Sequence, residues 1–137
     1  MITAVDTNIL LDVFGPDPDF GTGSGNALRA CLSEGSVVAC EIVWAETVAW
    51  FPSSESAQET LDGLGIAFSP LDRSTAASAG LAWRAYRRRG GRRARVIADF
   101  LIGAHAASQT DRLLTRDRGF YKKAFKRLEV VDPTVLR

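Results

Sequence analysis

Four acidic residues of this chain are spaced so that their carboxylates could act together on one substrate: Asp6, Glu46, Asp99 and Asp117. Asp6 directly follows a β-prone run, residues 2–5. Asp117 follows a second such run, residues 113–115, and Asp99 opens a predicted helix directly after three apolar residues. Because ligands of an open parallel sheet bind beyond the carboxyl ends of its strands, we predict that these three strand-end acids converge on one crevice.

The fourth acid, Glu46, is predicted to join the site because it stands on an apolar helix face. In the helix predicted over residues 41–50, Glu46 is three residues from Val43 and four from Trp50, so the three side chains share a face. We therefore expect Glu46 to be buried. No Lys or Arg stands between residues 29 and 73, so its partner is expected to be a distant side chain or a cation shared with other acids.

A site built only from carboxylates selects hard divalent cations, so the predicted cofactor is Mg²⁺ or Mn²⁺. Zinc sites ordinarily use His or Cys, whereas His105 is the only histidine and the two cysteines lack ligand spacing. His105 comes six residues after Asp99 and falls off its helix face, so we interpret it as a structural or surface residue.

Each strand-end acid also has a purely structural interpretation. Asp6 could cap the helix that follows it, and Asp99 could favour a helix N-terminus through the helix dipole. Asp117 could lie in an ordinary turn. The functional interpretation depends on the four acids occurring together rather than on any one of them.

Strands and helices must alternate to place these acids, and the sequence predicts that they do. The β-prone runs stand near residues 2–5, 36–40, 66–68, 113–115 and 128–131. Such alternation implies parallel strands joined by right-handed crossovers. The predicted fold class is α/β, with a three-layer α/β/α architecture and a central, mostly parallel sheet. Residues 15–25, rich in Gly, Pro and Asp, are predicted to form a flexible loop.

Length and composition suit one globular domain over residues 1–137. The chain has 137 residues, of which 46% are hydrophobic and 24% charged. Its N-terminus has no basic segment, and the apolar run 9–11 ends at Asp12. We therefore expect neither a signal peptide nor a membrane span, and a cytoplasmic location. Cys31 and Cys40 are too few for a disulfide framework and are interpreted as structural.

Charge is divided along the chain, with a balance of −9 over residues 1–83 and +10 over residues 84–137. Half of the fourteen arginines fall between residues 84 and 95. Four of them are predicted to bind the phosphates of a nucleic acid: Arg88, Arg89, Arg92 and Arg93. The alternative is a solvated helix end that pairs with acidic surface. Three lysines form a second basic cluster, and its simpler interpretation is a solvated surface: Lys122, Lys123 and Lys126.

Four runs of residues resemble the motifs of PIN domains, and more closely those of VapC-type toxins. The runs are 5–12 (VDTNILLD), 42–46 (IVWAE), 97–106 (IADFLIGAHA) and 113–117 (LLTRD). They follow one another in the order of the family's motifs and span nearly the whole chain. One such motif alone is weakly specific, but the ordered set is specific.

The resemblance implies a metal-dependent endoribonuclease that is the toxin of a toxin–antitoxin pair. It places the family's metal ligands on Asp6, Glu46, Asp99 and Asp117, and its supporting polar positions on Asn8 and Thr115. Hydrolysis with Mg²⁺ or Mn²⁺ would leave a 5′-phosphate and a 3′-hydroxyl. The implied partners are an RNA substrate, a cognate VapB-type antitoxin and a second copy in a homodimer, and the helix 41–50 is a plausible contact surface. Gly103 is interpreted either as open space beside Asp99 or as a close packing contact.

Two other functions are compatible with the sequence. A phosphatase that phosphorylates its own Asp6 would need a second Asp at position 8, which is Asn. A receiver-like or RNA-binding module without catalysis would use Asp6 as a phosphorylation or capping site. Metal-dependent cleavage of RNA separates both from the nuclease.

Overall fold

Five strands form one sheet in the computed structural model, which describes residues 1–91 and 95–135. The strands are β1 (Ile2–Val5), β2 (Ser36–Ala39), β3 (Ile66–Phe68), β4 (Arg112–Leu114) and β5 (Val130–Val131). Their order across the sheet is β3-β2-β1-β4-β5. All four of these pairings are parallel, which sharpens the prediction of a mostly parallel sheet.

Seven helices connect and follow these strands within the described residues. They are α1 (Thr7–Phe14), α2 (Gly21–Glu34), α3 (Glu41–Val48), α4 (Ser54–Leu64), α5 (Arg73–Arg88), α6 (Ile97–Gln109) and α7 (Arg118–Ala124). The chain marks several of their ends directly. Asp72 caps α5 by accepting a hydrogen bond from the Thr75 N–H at 2.8 Å. Gly65 ends α4 in the left-handed region, with φ of 83°.

The strand order reverses next to β1. The chain passes from β1 to β2 and β3 on one side of the sheet, then crosses back to β4 and β5 on the other. Right-handed crossovers therefore place α1 to α4 on one face and α5 to α7 on the opposite face. Most helix contacts follow this division, because α1 packs on α2 and α3 and α5 packs on α6, while α3 also contacts α6. This arrangement confirms the predicted three-layer fold and puts a topological switch point between β1 and β4.

Aromatic rings fill the core between the sheet and helices α5 to α7. The Phe100 ring centroid lies 5.3 Å from those of Tyr86 and Phe120. Gly103 belongs to the same packing, because a Cβ at this position would lie 2.2 Å from the Phe125 ring. This contact favours close packing as the role of Gly103 over open space for a ligand.

Three residues that were interpreted as structural are buried. Cys31 and Cys40 are free, buried thiols. His105 is 1% exposed, and its Nε2 atom lies 3.0 Å from the Ser69 hydroxyl. Burial lowers the pKa of His105. In the described part of the chain, no helix is long and apolar enough to cross a membrane.

The predicted flexible loop over residues 15–25 is wrong from Gly21 onward, where α2 begins. The Asp17 carboxylate accepts hydrogen bonds from the backbone N–H groups two and three residues further on, which closes a turn before the helix. Ser24 is fully buried and donates a hydrogen bond to Asp12 Oδ2 at 2.7 Å. Packing of α2 on α1 therefore overrides the low helix propensity of the glycines in this segment.

Candidate functional site

Asp6 lies at the carboxyl end of β1, at the switch point of the sheet. Its backbone N–H donates to the Leu114 carbonyl at 2.9 Å, which ties it to the end of β4. Its Oδ1 accepts from the Thr7 N–H at 2.8 Å, and its Oδ2 accepts from the Thr115 hydroxyl at 2.7 Å. The side chain thus also caps α1. This confirms the structural role predicted for Asp6, and a chemical role is compatible with it.

Burial raises the pKa of Asp6 from its ordinary 3.8 to about 6. The two hydrogen bonds from Thr115 and Thr7 act in the opposite direction, whereas the negative charges of Glu46 and Asp99 raise the pKa further. Asp6 is 6% exposed. A deeply buried carboxylate that is also repelled by two other acids lacks a compensating positive charge.

Asn8 and Thr115 connect the ends of β1 and β4 through their side chains. The Asn8 amide nitrogen lies 3.3 Å from the Thr115 hydroxyl, and the Asn8 carbonyl oxygen accepts from the Arg116 N–H at 3.3 Å. The Thr115 hydroxyl in turn accepts from the Asp117 N–H at 3.0 Å. These bonds hold the segment that carries Asp117 in register with Asp6.

Asp117 follows β4, as predicted, and its carboxylate is paired with a base. Arg95 donates to Asp117 Oδ2 at 2.5 Å. The same guanidinium lies over the Phe120 ring, 4.2 Å from its centroid. Arg95 is one of the seven arginines between residues 84 and 95, and it neutralises one of the four acids.

Asp99 lies near the start of a helix, as predicted. The helix α6 begins at Ile97, with Val96 as its N-cap, so two of the three apolar residues before Asp99 already belong to the helix. Asp99 lies in the first helical turn and accepts a hydrogen bond from the Val96 N–H at 3.3 Å. Burial raises the pKa of Asp99, and the charge of Asp117 raises it further, although the Val96 hydrogen bond and Arg95 lower it.

The predicted burial of Glu46 is wrong, because its side chain is exposed. The buried residues of α3 are Val43 and Thr47. Trp50 lies beyond the end of the helix and is 73% exposed, so the spacing that suggested an apolar face does not apply. Glu46 nevertheless borders the site, since its Oε1 accepts from the Thr7 hydroxyl at 2.7 Å.

Tyr121 is a member of the site that the sequence analysis did not identify. It is 1% exposed, and burial raises its pKa, followed by the charges of Asp6, Asp99 and Asp117. Three acids therefore act electrostatically on one hydroxyl, which stays protonated. Tyr121 stands four residues after Asp117, with α7 between 118 and 124, and this helical spacing is the signal that could have identified it.

These acids converge without forming a finished metal site. Among residues 1–91 and 95–135, no three His, Cys, Asp or Glu side chains lie close enough together to hold a metal ion as they stand. Protein donors satisfy the carboxylates instead, as in the Arg95–Asp117 and Thr7–Glu46 pairs. The donor chemistry still fits a hard divalent cation, because all the candidate ligands are carboxylate oxygens and two of them have raised pKa values.

A second ion pair, in which the carboxylate is buried and the base is partly exposed, positions the turn between β4 and α7. Arg116 donates to both oxygens of Asp12, at 2.6 Å and 3.0 Å, and Asp12 is 4% exposed. The guanidinium also lies 4.0 Å from the centroid of the Phe20 ring. Arg116 directly precedes Asp117, so this pair anchors one acid of the site to α1.

We expect Arg116→Met to destabilise the protein by about 3 kcal/mol, because it leaves the Asp12 carboxylate buried with only a hydroxyl donor. Urea denaturation measures this loss. Arg118→Met is the matched control: Arg118, the first residue of α7, is exposed, so its loss should cost no more than about 0.5 kcal/mol. Equal stability losses in the two variants would show that the Asp12–Arg116 pair does not anchor the turn.

The predicted phosphate-binding arginines are only partly within the described residues. Arg88 ends α5 and Arg89 follows it, and both side chains are exposed. Arg92 and Arg93 lie outside the described residues.

Comparison with known proteins identifies the family of the chain and solved structures with a similar fold. A sequence model of the PIN domain matches residues 3–126 of the chain. Comparison with curated proteins finds no match.

Several solved structures share the fold over nearly the whole length of both chains. VapBC2 from Rickettsia felis, bound to a DNA fragment from its promoter, has a TM-score of 0.75 and 21% identity, covering 96% of this chain and 98% of that chain. FitAcB from Neisseria gonorrhoeae has a TM-score of 0.72 and 25% identity, covering 99% and 100%. A toxin–antitoxin complex from Klebsiella pneumoniae has a TM-score of 0.71 and 22% identity, covering 98% and 99%.

Proposed function

Because this chain belongs to the PIN domain family, we propose that it is a metal-dependent endoribonuclease, the toxin of a toxin–antitoxin pair. The proposal rests on the electrostatic repulsion among the acids of the site. The charges of Glu46 and Asp99 add to burial in raising the pKa of Asp6, and the charge of Asp117 adds to burial in raising the pKa of Asp99. Neither Asp6 nor Asp99 is neutralised by a direct ion pair in the described residues. Such a cluster is suited to hold a cation and unsuited to stabilise the fold without one.

The proposed ligands are Asp6, Glu46, Asp99 and Asp117, with Mg²⁺ or Mn²⁺ as the ion. When bound, the ion supplies the Lewis acid that phosphodiester hydrolysis near neutral pH requires. The protein's own part is to hold the carboxylates. Thr115 and the Thr7 N–H fix the two oxygens of Asp6, and Asn8 joins this end of β1 to the Asp117 segment.

Glu46 and Asp117 differ from the two buried acids in being held by donors that can be exchanged. Glu46 is exposed and bonded to the Thr7 hydroxyl, and the Asp117 side chain is 32% exposed and paired with Arg95. Both can therefore turn toward an ion without unfolding the core. Tyr121 closes the buried side of the cluster with a protonated hydroxyl.

The structural neighbours support the proposal of an antitoxin partner. They include a toxin–antitoxin complex, and this chain covers nearly all of the matched chain. We propose a VapB-type antitoxin, a homodimer, and a single domain over residues 1–137 that acts on RNA in the cytoplasm. Exposed aromatic side chains suited to such contacts include Trp50 and Phe68, which are 73% and 51% exposed.

Brief induction of the chain in a bacterial host tests the proposed function. We expect growth arrest, and RNA fragments that carry 5′-phosphate and 3′-hydroxyl ends when cleaved ends are mapped across total RNA. Co-expression of its cognate antitoxin should relieve the arrest. Arrest without new RNA ends would contradict the nuclease, and phosphate release from small phosphoesters instead of RNA cleavage would favour the phosphatase alternative.

A further inference from the structure

A cavity opens beside the acidic site, between the end of α5, the turn that follows it and α7. Its volume is about 650 Å³, within the rough range of 300–1,000 Å³ found for ligand sites. Its walls include the rings of Tyr86 and Phe120. Four lining residues are basic, and no described lining residue is acidic: Arg89, Arg95, Lys123 and Lys126.

Three of these cations are available to a ligand. The side chains of Arg89, Lys123 and Lys126 are exposed, and none of them has an ion pair within the described residues. Other bases of the chain are used internally, since Arg112 pairs with Glu34 and Arg116 pairs with Asp12. Among the residues that the structure describes, exposed bases without an ion pair also lie outside the cavity, as at Arg73 and Arg127, but Arg89, Lys123 and Lys126 line one cavity together.

One side chain, that of Arg95, contacts both the cavity and the acidic site. Arg95 lines the cavity, stacks on the Phe120 ring and donates to Asp117. A group in the cavity thus lies one guanidinium away from the carboxylates. A chain that bears regularly spaced negative charges could place one charge in the cavity and the next at the acids.

From this placement we infer that the cavity is a phosphate-binding subsite for the RNA strand that flanks the scissile bond, with Arg89, Lys123 and Lys126 as its phosphate ligands. The inference rests on the proposed nuclease function for the identity of the strand. Cations next to aromatic walls suit a polymer of phosphates and flat bases. Arg88, although exposed, does not line the cavity and is not a ligand of this subsite.

Binding in the absence of metal tests the subsite separately from catalysis. The probe is a fluorescein-labelled, single-stranded RNA of mixed sequence, and its affinity is measured by fluorescence anisotropy in EDTA. The test variant is Lys123→Ala/Lys126→Ala, with Arg89→Ala as a second variant. The control is Arg73→Ala/Arg127→Ala, which removes the same charge from two exposed residues outside the cavity.

We expect each lysine removed from the cavity to weaken binding about fivefold at 0.1 M salt. One lost phosphate contact makes the slope of log affinity against log salt shallower by about 0.7 for a single strand. Arg89→Ala should weaken binding by a similar factor, and the control variant by less than about twofold. Thermal melting confirms that each variant is folded.

Equal weakening in the test and control variants would overturn the subsite, because it would reduce the effect to net charge. RNA binding that survives in the cavity variants, together with loss of binding to an acidic peptide, would also overturn it and assign the cavity to a protein partner. The proposed nuclease function fails independently, if the wild-type protein binds RNA through the cavity but leaves it uncut with Mg²⁺.

Discussion

Asp6→Asn should abolish RNA cleavage, with a loss of at least about a thousandfold in kcat/KM. Asp6 is the acid that lies deepest in the site, and its carboxylate is fixed by Thr115 and the Thr7 N–H. A metal ion at such a site contributes several kcal/mol of charge stabilisation, and each 1.4 kcal/mol corresponds to about tenfold in rate. Asn has nearly the same shape but removes the charge that would hold the ion.

The same substitution should stabilise the metal-free protein. Folding raises the pKa of Asp6 from 3.8 to about 6, so the folded state binds a proton more tightly than the unfolded state does. The buried charge therefore opposes folding above pH 6, by roughly 3 kcal/mol, and this penalty disappears as the pH falls from about 6 toward about 4. In EDTA at pH 7, Asp6→Asn should raise the free energy of unfolding by on the order of 1 to 2 kcal/mol, once the weaker hydrogen bonds of the Asn side chain are taken into account.

Paired denaturation curves at pH 7 and pH 4.5 measure this effect. The stability advantage of Asp6→Asn should be present at pH 7 and largely lost at pH 4.5, where the wild-type carboxyl is neutral. Asp62→Asn, the same change on an exposed residue of α4, should alter neither cleavage nor the pH profile. If Asp6→Asn is destabilising at pH 7, its cap and hydrogen bonds outweigh the buried charge, and the carboxylate is structural.

Local signals explain why most of the fold could be predicted. The residues of β1 are a β-prone run that ends at a capping Asp, and Asp72 and Gly65 mark helix ends by their own conformational preferences. Alternation of strands and helices then leaves few topologies once parallel pairing and right-handed crossovers are required. Asp6 and Asp117 could be placed for the same reason, since both follow strands that pair directly with each other.

Tertiary packing decides the features that the sequence pattern misplaced. The spacing of Val43, Glu46 and Trp50 predicts one helix face, but α3 ends at Val48 and leaves Glu46 exposed. Ser24 reads as part of a polar loop, yet its hydroxyl is buried against Asp12. For Ser24, a contact with a residue twelve positions earlier sets the outcome, and local periodicity carries no information about it.

Arg95 shows the same limit at the site itself. Seven arginines fall between residues 84 and 95, and their spacing alone does not separate those that face solvent from one that pairs with an acid. The structure places Arg95 between the Asp117 carboxylate and the basic cavity. Acidic and basic parts of the proposed site are therefore in contact, rather than being separate regions as the charge division along the chain suggests.

Removal of divalent metal should reduce RNA cleavage to background, again by at least about a thousandfold. Excess chelator should produce this loss, and added Mg²⁺ or Mn²⁺ should reverse it. Binding should also be visible without any substrate. At pH 7 a saturating ion neutralises the repulsion between Asp6 and Asp99, and a concentration of one hundred times Kd stabilises the folded state by about 2.7 kcal/mol.

Variants of the four acids show which side chains hold the ion. Asp99→Asn should remove most of the Mn²⁺-dependent rise in melting temperature, because its half-buried carboxylate lies between Asp6 and Asp117 in the electrostatic cluster. Glu46→Gln should remove less of it, since Glu46 is exposed and must leave the Thr7 hydroxyl to reach an ion. Asp62→Asn again serves as the control and should keep the full rise. Undiminished cleavage in excess chelator would contradict the metal mechanism, and a full Mn²⁺ response in Asp99→Asn would place the ion elsewhere.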